Sequence, residues 1–200
     1  MDIKIEEYIK SELAEAIRIV NLMLFDNSFH LNIADIVEAC VNCLNNGGKL
    51  IFAGNGGSAA DAQHMAGEYV SKFAFDRPGL SAIAITVDSS IITAIGNDYG
   101  YEQLFSRQLE ALANKGDIFF GYTTSGKSKN ILSAFAAAKK KGILTIGFTG
   151  NRGGDIKNMC DYLIEIPSSN TPKIQEGHLI LGHIICGLIE NKIFKNHKDA

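Results

Sequence analysis

The spacing of apolar positions divides the chain into a helical amino-terminal part and an alternating remainder. In the first part, apolar side chains recur at helical spacing and predict two helices, at 2–25 and 31–46, separated by the turn Asp26-Asn27-Ser28. From Lys49 onward, short apolar runs alternate with helical segments. Five of these runs predict strands, at 50–54, 81–86, 117–123, 143–150 and 162–167.

This alternation is typical of a doubly wound α/β fold. It predicts a Rossmann-like, five-stranded parallel sheet with helices on both faces, then a long final helix from about Pro172 to Phe194 with Thr171 as its cap. Because no linker, repeat or low-complexity tract interrupts the pattern, residues 1–200 are predicted to form a single domain. Its amino-terminal helical pair, residues 1–47, would pack on the sheet unit or on a partner subunit.

Composition and charge narrow the classes of partner. The formal net charge of -3, without a run of Lys or Arg, argues against nucleic acid as a ligand. No apolar stretch reaches the ~18 residues of a membrane span, and the acidic, amphipathic amino terminus is unlike a secretion signal. These features predict a cytosolic protein that acts on small molecules. The Cys40-Val-Asn-Cys43 motif lies in a helical pattern with both thiols on the apolar face, which favours the core over redox chemistry or zinc.

A glycine-rich turn follows the first predicted strand. The segment 54–59, Gly-Asn-Gly-Gly-Ser-Ala, formally fits a dinucleotide-binding fingerprint. That fingerprint also needs an acidic residue ~20 residues further on, at the end of the second strand, and Asp88 comes much too late. The turn is instead predicted to bring backbone N–H groups and the Asn55 side chain to a polar ligand at a helix amino terminus.

Two predicted helices carry polar residues that suit a metal site. His64 and Glu68 are one turn apart on the helix after the glycine-rich turn, which is metal-ligand spacing but also that of an exposed polar pair. In the final helix, Gln175 and His183 stand in an otherwise apolar stretch, where a buried imidazole needs a partner. Either His183 is a ligand or it is a satisfied core histidine, and His178 is interpreted as structural.

A hydroxyl-rich loop follows the third predicted strand and precedes a helix over 129–141. Its hydroxyls and backbone amides converge on the helix amino terminus, an arrangement that binds a phosphate monoester. The alternative is a Ser/Thr-rich turn with a capping hydroxyl, which accounts less well for so many hydroxyls. The hydroxyl residues are Thr123, Thr124, Ser125 and Ser128.

Six ordered motifs extend over nearly the whole chain. They are GNGGSAADAQH at 54–64 with Glu68, RPGL at 77–80, TAIGNDYG at 93–100, FSRQ at 105–108, TSGKSKN at 124–130 and IQEGHLILGH at 174–183. In these motifs the chain resembles the phosphoheptose isomerase family, which has the sugar isomerase (SIS) fold. The resemblance implies an aldose-ketose isomerase that converts sedoheptulose 7-phosphate into D-glycero-D-manno-heptose 7-phosphate, the first step towards activated heptose for lipopolysaccharide or capsule. It also implies a zinc-binding homotetramer with active sites near the subunit interfaces.

The resemblance further implies roles for individual residues. The metal ligands would be His64, Glu68, Gln175 and His183. The sugar would meet Glu68, Gln175, Asn55, Gly56, Gly57, Ser58, Asn97 and Asp98, and the phosphate would meet Thr123, Thr124, Ser125 and Ser128. Glu68 would act as the base and His183 as the partner acid, on an enediolate that the metal stabilises.

Three positions depart from the family pattern. Tyr122 stands in place of an aliphatic residue, Thr123 in place of serine and Lys127 in place of asparagine, so that Lys127 adds a cation beside the expected phosphate. Two non-enzymatic alternatives share the fold. A replication-initiator-associating protein would lack the catalytic carboxylate that is present here as Glu68, and a sugar-phosphate sensor would be attached to a DNA-binding domain.

Overall fold

The computed structural model describes residues 3–195 and contains one sheet of five strands. The strands are β1 Leu50–Ala53, β2 Ala82–Ala84, β3 Ile118–Tyr122, β4 Leu144–Gly150 and β5 Tyr162–Ile166. They lie in the order β2-β1-β3-β4-β5, and each neighbouring pair is parallel. This arrangement confirms the doubly wound α/β fold, in which strands covered on both faces are near-continuous apolar runs.

Within the described residues, seven α-helices flank the sheet. They are α1 Ile3–Leu24, α2 Asn27–Asn45, α3 Gly57–Val70, α4 Ser89–Asp98, α5 Ser106–Leu112, α6 Lys129–Lys140 and α7 Thr171–Phe194. One apolar core joins α1, α2, α3 and α7 to the sheet face that carries Phe52, and a second joins α4, α5 and α6 to the face that carries Phe119. The helices α3 and α6 therefore lie on opposite faces of the sheet.

The strand order places two loops opposite each other. From β1 the chain proceeds to β2 on one side, whereas β3, β4 and β5 follow on the other side. The order thus reverses between β1 and β3, and ligands of open α/β sheets bind at such a switch point, outside the carboxyl ends of the strands. The glycine-rich turn leaves β1 there, and the hydroxyl-rich loop leaves β3.

Most predicted elements are confirmed, and their boundaries shift for local reasons. The helix predicted from residue 31 begins at Asn27 because the Asp26 carboxylate accepts the Phe29 N–H and caps it. The final helix already includes Thr171, so that Asn170 occupies the cap position predicted for Thr171. The single-domain prediction for 1–200 includes residues 1–2 and 196–200, which lie outside the described residues.

A buried ion pair lies at the end of α3 and connects it to α7. Arg77 Nε lies 2.9 Å from Glu190 Oε1, and both side chains are almost completely buried. The guanidinium also donates to backbone carbonyls near the end of α3, including that of Glu68. The guanidinium thereby satisfies carbonyl groups that the end of α3 at Val70 leaves without a helical partner.

Cys40 and Cys43 confirm the core interpretation of the CxxC motif. Both are free and buried in the core that α2 shares with α7. Burial raises the pKa of the Cys43 thiol to about 11, so that it stays protonated at neutral pH.

The first helix covers α7 with only part of its apolar surface. Ile19 and Met23 are buried, whereas Ile5, Ile9 and Leu13 are exposed. No helix among residues 3–195 has the length and apolar character to cross a bilayer.

His178 is buried in the core, as the structural interpretation predicts. Its Nε2 lies 3.3 Å from the carbonyl oxygen of Thr149, to which it donates, and its Nδ1 has no partner within the described residues. Burial lowers the pKa of His178 to about 4, although the Thr149 carbonyl opposes the shift. The folded protein therefore keeps this imidazole neutral at a pH where the unfolded chain, with a His pKa of about 6.5, takes up a proton.

This difference predicts a loss of stability as the pH falls from about 6.5 to about 4. We expect the free energy of unfolding to drop by about 2 kcal/mol more in the wild type than in His178→Gln between pH 7.5 and pH 5. Urea unfolding at both pH values measures the difference. Equal pH dependence of the two proteins would show that His178 does not titrate on unfolding. Asp61, whose raised pKa has the opposite sign of effect, is common to both proteins and cancels.

Candidate functional site

Three predicted metal ligands come together between α3 and α7. His64 Nε2 lies 2.8 Å from His183 Nε2 and 3.3 Å from Glu68 Oε1. The ligand atoms of all three residues lie within 4.8 Å of one another. The one-turn spacing of His64 and Glu68 puts both side chains on the face of α3 that meets α7. One chain therefore supplies a cluster of two imidazole nitrogens and one carboxylate, called the His-Glu-His cluster below.

The chemistry of the His-Glu-His cluster fits a divalent cation such as zinc, for which imidazole and carboxylate are usual ligands. Two imidazole nitrogens at 2.8 Å repel one another unless a proton or a cation lies between them. The cluster is also accessible, since 46% of the His64 side chain is exposed. Three protein ligands with an open position are typical of catalytic zinc sites, whereas structural sites are closed by four.

Gln175 is the predicted ligand that the structure does not bring to this cluster. It precedes His183 by eight residues of α7, which is about 12 Å along a helix. Its amide lies against Gly57, where an added Cβ would overlap the Gln175 side chain. Gln175 therefore lies beside the glycine-rich turn, and its role as a metal ligand stays a prediction.

Asp61 is a further acidic side chain near the cluster, one turn before His64 on α3. Its Oδ2 atom is buried and makes no hydrogen bond within the described residues. Burial raises the pKa of the Asp61 carboxyl group to about 6, and nearby His64 opposes the shift. This group can therefore exchange a proton near neutral pH. The sequence spacing of three residues between Asp61 and His64 does not by itself indicate this property.

Four of the residues predicted to contact the sugar lie in the glycine-rich turn, at the start of α3. Gly56 has a φ of +56°, which favours glycine, and no side chain among residues 3–195 caps the first N–H groups of α3. Ser58 is buried in the first turn. The Asn55 amide exchanges two hydrogen bonds with the amide of Asn130 in α6. The Ser58 N–H donates to the Asn55 carbonyl oxygen, so that the N–H groups before it are the ones that can meet a polar or anionic ligand. The contact of Asn55, Gly56, Gly57 and Ser58 with a sugar stays a prediction.

The hydroxyl-rich loop leaves the amino terminus of α6 without a side-chain cap. Thr123 Oγ1 and Ser128 Oγ form a hydrogen bond of 2.9 Å with each other, and no side chain of the described residues caps α6. Gly126 has a φ of +68° and lets the loop pass close to Gly153 and Gly154, where a Cβ would collide with their backbone. Free N–H groups at a helix start beside hydroxyls can bind an anion, and the contact of this loop with a phosphate stays a prediction.

Thr124 and Ser125 line a cavity of about 260 Å³ next to this loop. The cavity extends over the ends of β4 and β5, and its lining includes two cations, Lys127 and Arg152. Neither cation forms an ion pair with a residue that the structure describes. The cavity is therefore positively charged, which suits an anionic ligand.

Asn97 and Asp98 end α4, and both are exposed. The Asn97 amide donates to the Asp98 carboxylate over 2.7 Å. Asp98 lines a groove with Tyr99 and Arg107. Within residues 3–195, no hydrogen bond joins this pair to the glycine-rich turn or to the His-Glu-His cluster, so that their contact with the sugar stays a prediction.

Known proteins resemble this chain in both sequence and structure. The SIS domain profile matches residues 15–150. A phosphoheptose isomerase of Burkholderia pseudomallei (strain 1710b) is 62% identical over 187 residues, 94% of this chain and 95% of that protein. Another, from Aneurinibacillus thermoaerophilus, is 52% identical over 190 residues, 95% of this chain and 96% of that protein. The structure of a phosphoheptose isomerase from Neisseria gonorrhoeae matches with a TM-score of 0.87 at 38% identity, covering 94% of this chain and 99% of that one. The chain belongs to the SIS domain family and, within it, to the phosphoheptose isomerases.

Proposed function

We propose that this chain isomerises sedoheptulose 7-phosphate to D-glycero-D-manno-heptose 7-phosphate. The observation that carries the proposal is the convergence of His64, Glu68 and His183 into one accessible cluster. The hydroxyl-rich loop supports a phosphorylated substrate, and the names of the relatives support a heptose. We expect the reaction to take place in the cytosol and its product to enter the synthesis of activated heptose for lipopolysaccharide or capsule.

The reaction moves one proton between neighbouring carbons, and two side chains of the cluster suit this transfer. Glu68, as the base, takes the C1 proton of the ketose while the electrons of the C–H bond form a C1–C2 double bond, and then returns a proton to C2. His183, as the partner acid, gives a proton to the former carbonyl oxygen and takes one from the C1 hydroxyl. A zinc ion held by His64, Glu68 and His183 would supply a Lewis acid that polarises the carbonyl group.

We also propose a homotetramer with active sites near the subunit interfaces. The exposed apolar side chains of α1, among them Ile5, Ile9 and Leu13, support burial against a partner subunit. A neighbouring subunit also offers a solution for the fourth ligand. Gln175 and His183 are eight residues apart on α7, which is about 12 Å of helix, so that either the ion lies between them or Gln175 of a second subunit is the ligand.

Lys127 offers a test of the phosphate site. We expect Lys127→Asn to raise KM for the sugar phosphate about three- to fivefold with little change in kcat, because one exposed cation contributes up to about 1 kcal/mol to anion binding. The difference should shrink at high salt. Steady-state kinetics at two ionic strengths measure it, with Lys115→Asn as the control for loss of an exposed lysine elsewhere. An unchanged KM at low salt would place the phosphate away from Lys127.

A substrate panel tests the proposed function itself. Purified, metal-loaded protein should turn over sedoheptulose 7-phosphate and leave both unphosphorylated sedoheptulose and fructose 6-phosphate largely unchanged. Turnover of the six-carbon ketose alone would reject the heptose assignment. Binding of sugar phosphates without any turnover would instead favour the non-enzymatic SIS proteins.

A further inference from the structure

Asn130 is a buried polar residue at the start of α6, with 2% of its surface exposed. It is the second residue of the helix, yet its side chain points to another loop and not to solvent. Asn55 Nδ2 donates to Asn130 Oδ1 over 2.9 Å, and Asn130 Nδ2 donates to Asn55 Oδ1 over 2.8 Å. The two amides therefore form a closed, reciprocal pair.

Tyr101 adds a third hydrogen bond to the same group. Its hydroxyl donates to Asn55 Oδ1 over 2.9 Å. An amide oxygen has two lone pairs, so that Asn130 and Tyr101 together use the acceptor capacity of Asn55. Of the two Nδ2 hydrogens of Asn55, one is bound to Asn130 and the other has no partner among the described residues. The Asn55 side chain is thus left with one N–H and no free acceptor for a ligand.

The amide pair bridges the switch point of the sheet. Asn55 belongs to the glycine-rich turn that leads into α3, which carries His64 and Glu68. Asn130 belongs to α6, which begins directly after the hydroxyl-rich loop and lies on the opposite face of the sheet. An ion pair of 2.8 Å between Lys129 and Glu102 joins the same start of α6 to the segment that carries Tyr101. The pair therefore joins the predicted sugar-binding turn to the helix that follows the predicted phosphate loop.

We propose that Asn130 is a positioning residue of the isomerase, which orients the Asn55 amide so that its one free N–H donates to an oxygen of the bound sugar. This inference rests on the proposed function, because it takes the ligand to be a sugar phosphate. Asn130 touches no substrate and acts through Asn55, while Tyr101 supports the same orientation from the exposed side. Without Asn130, the Asn55 side chain could rotate and present its oxygen in place of its N–H.

The proposal predicts that Asn130 and Asn55 act as a unit. We expect Asn55→Ala and Asn130→Ala each to raise KM for sedoheptulose 7-phosphate about tenfold, with kcat changed less than threefold, as for one lost hydrogen bond. The double variant should be no worse than Asn55→Ala, since residues that act through one another are not additive. Tyr101→Phe keeps the amide pair and should raise KM only two- to threefold.

Equilibrium binding of sedoheptulose 7-phosphate and of inorganic phosphate should accompany the kinetics. The sugar phosphate should bind about tenfold more weakly to Asn130→Ala, while inorganic phosphate, held by the hydroxyl-rich loop, should bind within twofold of the wild type. Asn32→Ala is the matched control, because the Asn32 amide donates to the Leu163 carbonyl, far along the chain from these loops, and should change stability without changing KM.

Four outcomes would overturn the inference. An active wild type with unchanged KM in Asn130→Ala would reject the positioning role and leave the proposed function intact. Multiplied losses in the double variant, or an equal loss of inorganic phosphate affinity, would show that Asn130 maintains the loop in general and does not act through Asn55. A wild type that neither turns over nor binds the sugar phosphate would reject both the inference and the proposed function.

Discussion

Replacing Glu68 by glutamine is expected to lower kcat for the sedoheptulose 7-phosphate isomerisation by about a thousandfold or more. A positioned general base contributes ~10²- to 10⁴-fold, and the substitution removes the basic oxygen while it keeps the size of the side chain. The amide oxygen of the introduced glutamine can still contact His64, so that the cluster should keep its shape. Steady-state kinetics with bound metal quantified in both proteins measure the effect.

Glu38→Gln is the control for this prediction. Glu38 is an exposed carboxylate that pairs with Lys192 on the surface of the protein. The control should have wild-type kcat and metal content. If Glu68→Gln kept metal and retained a tenth or more of the wild-type kcat, Glu68 would not be the base.

Truncating Glu190 is expected to lower the free energy of unfolding by about 3–5 kcal/mol. The Glu190→Ala change leaves the Arg77 guanidinium buried without its counter-charge, and it frees two backbone N–H groups, those of Phe73 and Ala74. Burial alone would raise the pKa of Glu190, but these N–H groups and Arg77 outweigh it and hold the pKa below its ordinary value. Chemical denaturation at neutral pH measures the free energy of unfolding.

The matched control is Glu102→Ala, which breaks the exposed ion pair with Lys129. Exposed pairs contribute about 0–1 kcal/mol, so that the two losses should differ severalfold. Similar losses in the two variants would show that burial does not make the Arg77–Glu190 pair contribute more to stability than an exposed pair. Because Arg77 also bonds the Glu68 carbonyl, Glu190→Ala should in addition weaken metal binding.

Local periodicity was sufficient to predict the sheet and the long helices. The strands around Phe52 and Phe120 are short apolar runs, and such runs between helical segments have few alternatives to a parallel sheet. The segment between β2 and β3 is harder to predict. Ile91, Ile92 and Ile95 follow helical spacing in α4, but β-branched residues and a nearby Gly-Asn-Asp sequence weaken the helical signal, and no element is predicted there.

The candidate site was predicted only as far as its pattern is local. His64 and Glu68 share one helix, so that their spacing alone indicates a common face. The approach of His183 to His64 joins positions 119 residues apart, and it followed from the family resemblance and not from spacing. Neither helical spacing nor the family resemblance predicts the roles of Asn130 and of the Arg77–Glu190 pair, because each role depends on a contact between distant segments.

The proposed activity is tested by incubating the purified, zinc-loaded protein with sedoheptulose 7-phosphate and identifying the product by NMR spectroscopy. We expect D-glycero-D-manno-heptose 7-phosphate to appear at a rate that depends on enzyme concentration, and to be absent with Glu68→Gln. A metal-loaded, folded wild type that left the ketose unchanged would show that the protein is not this isomerase.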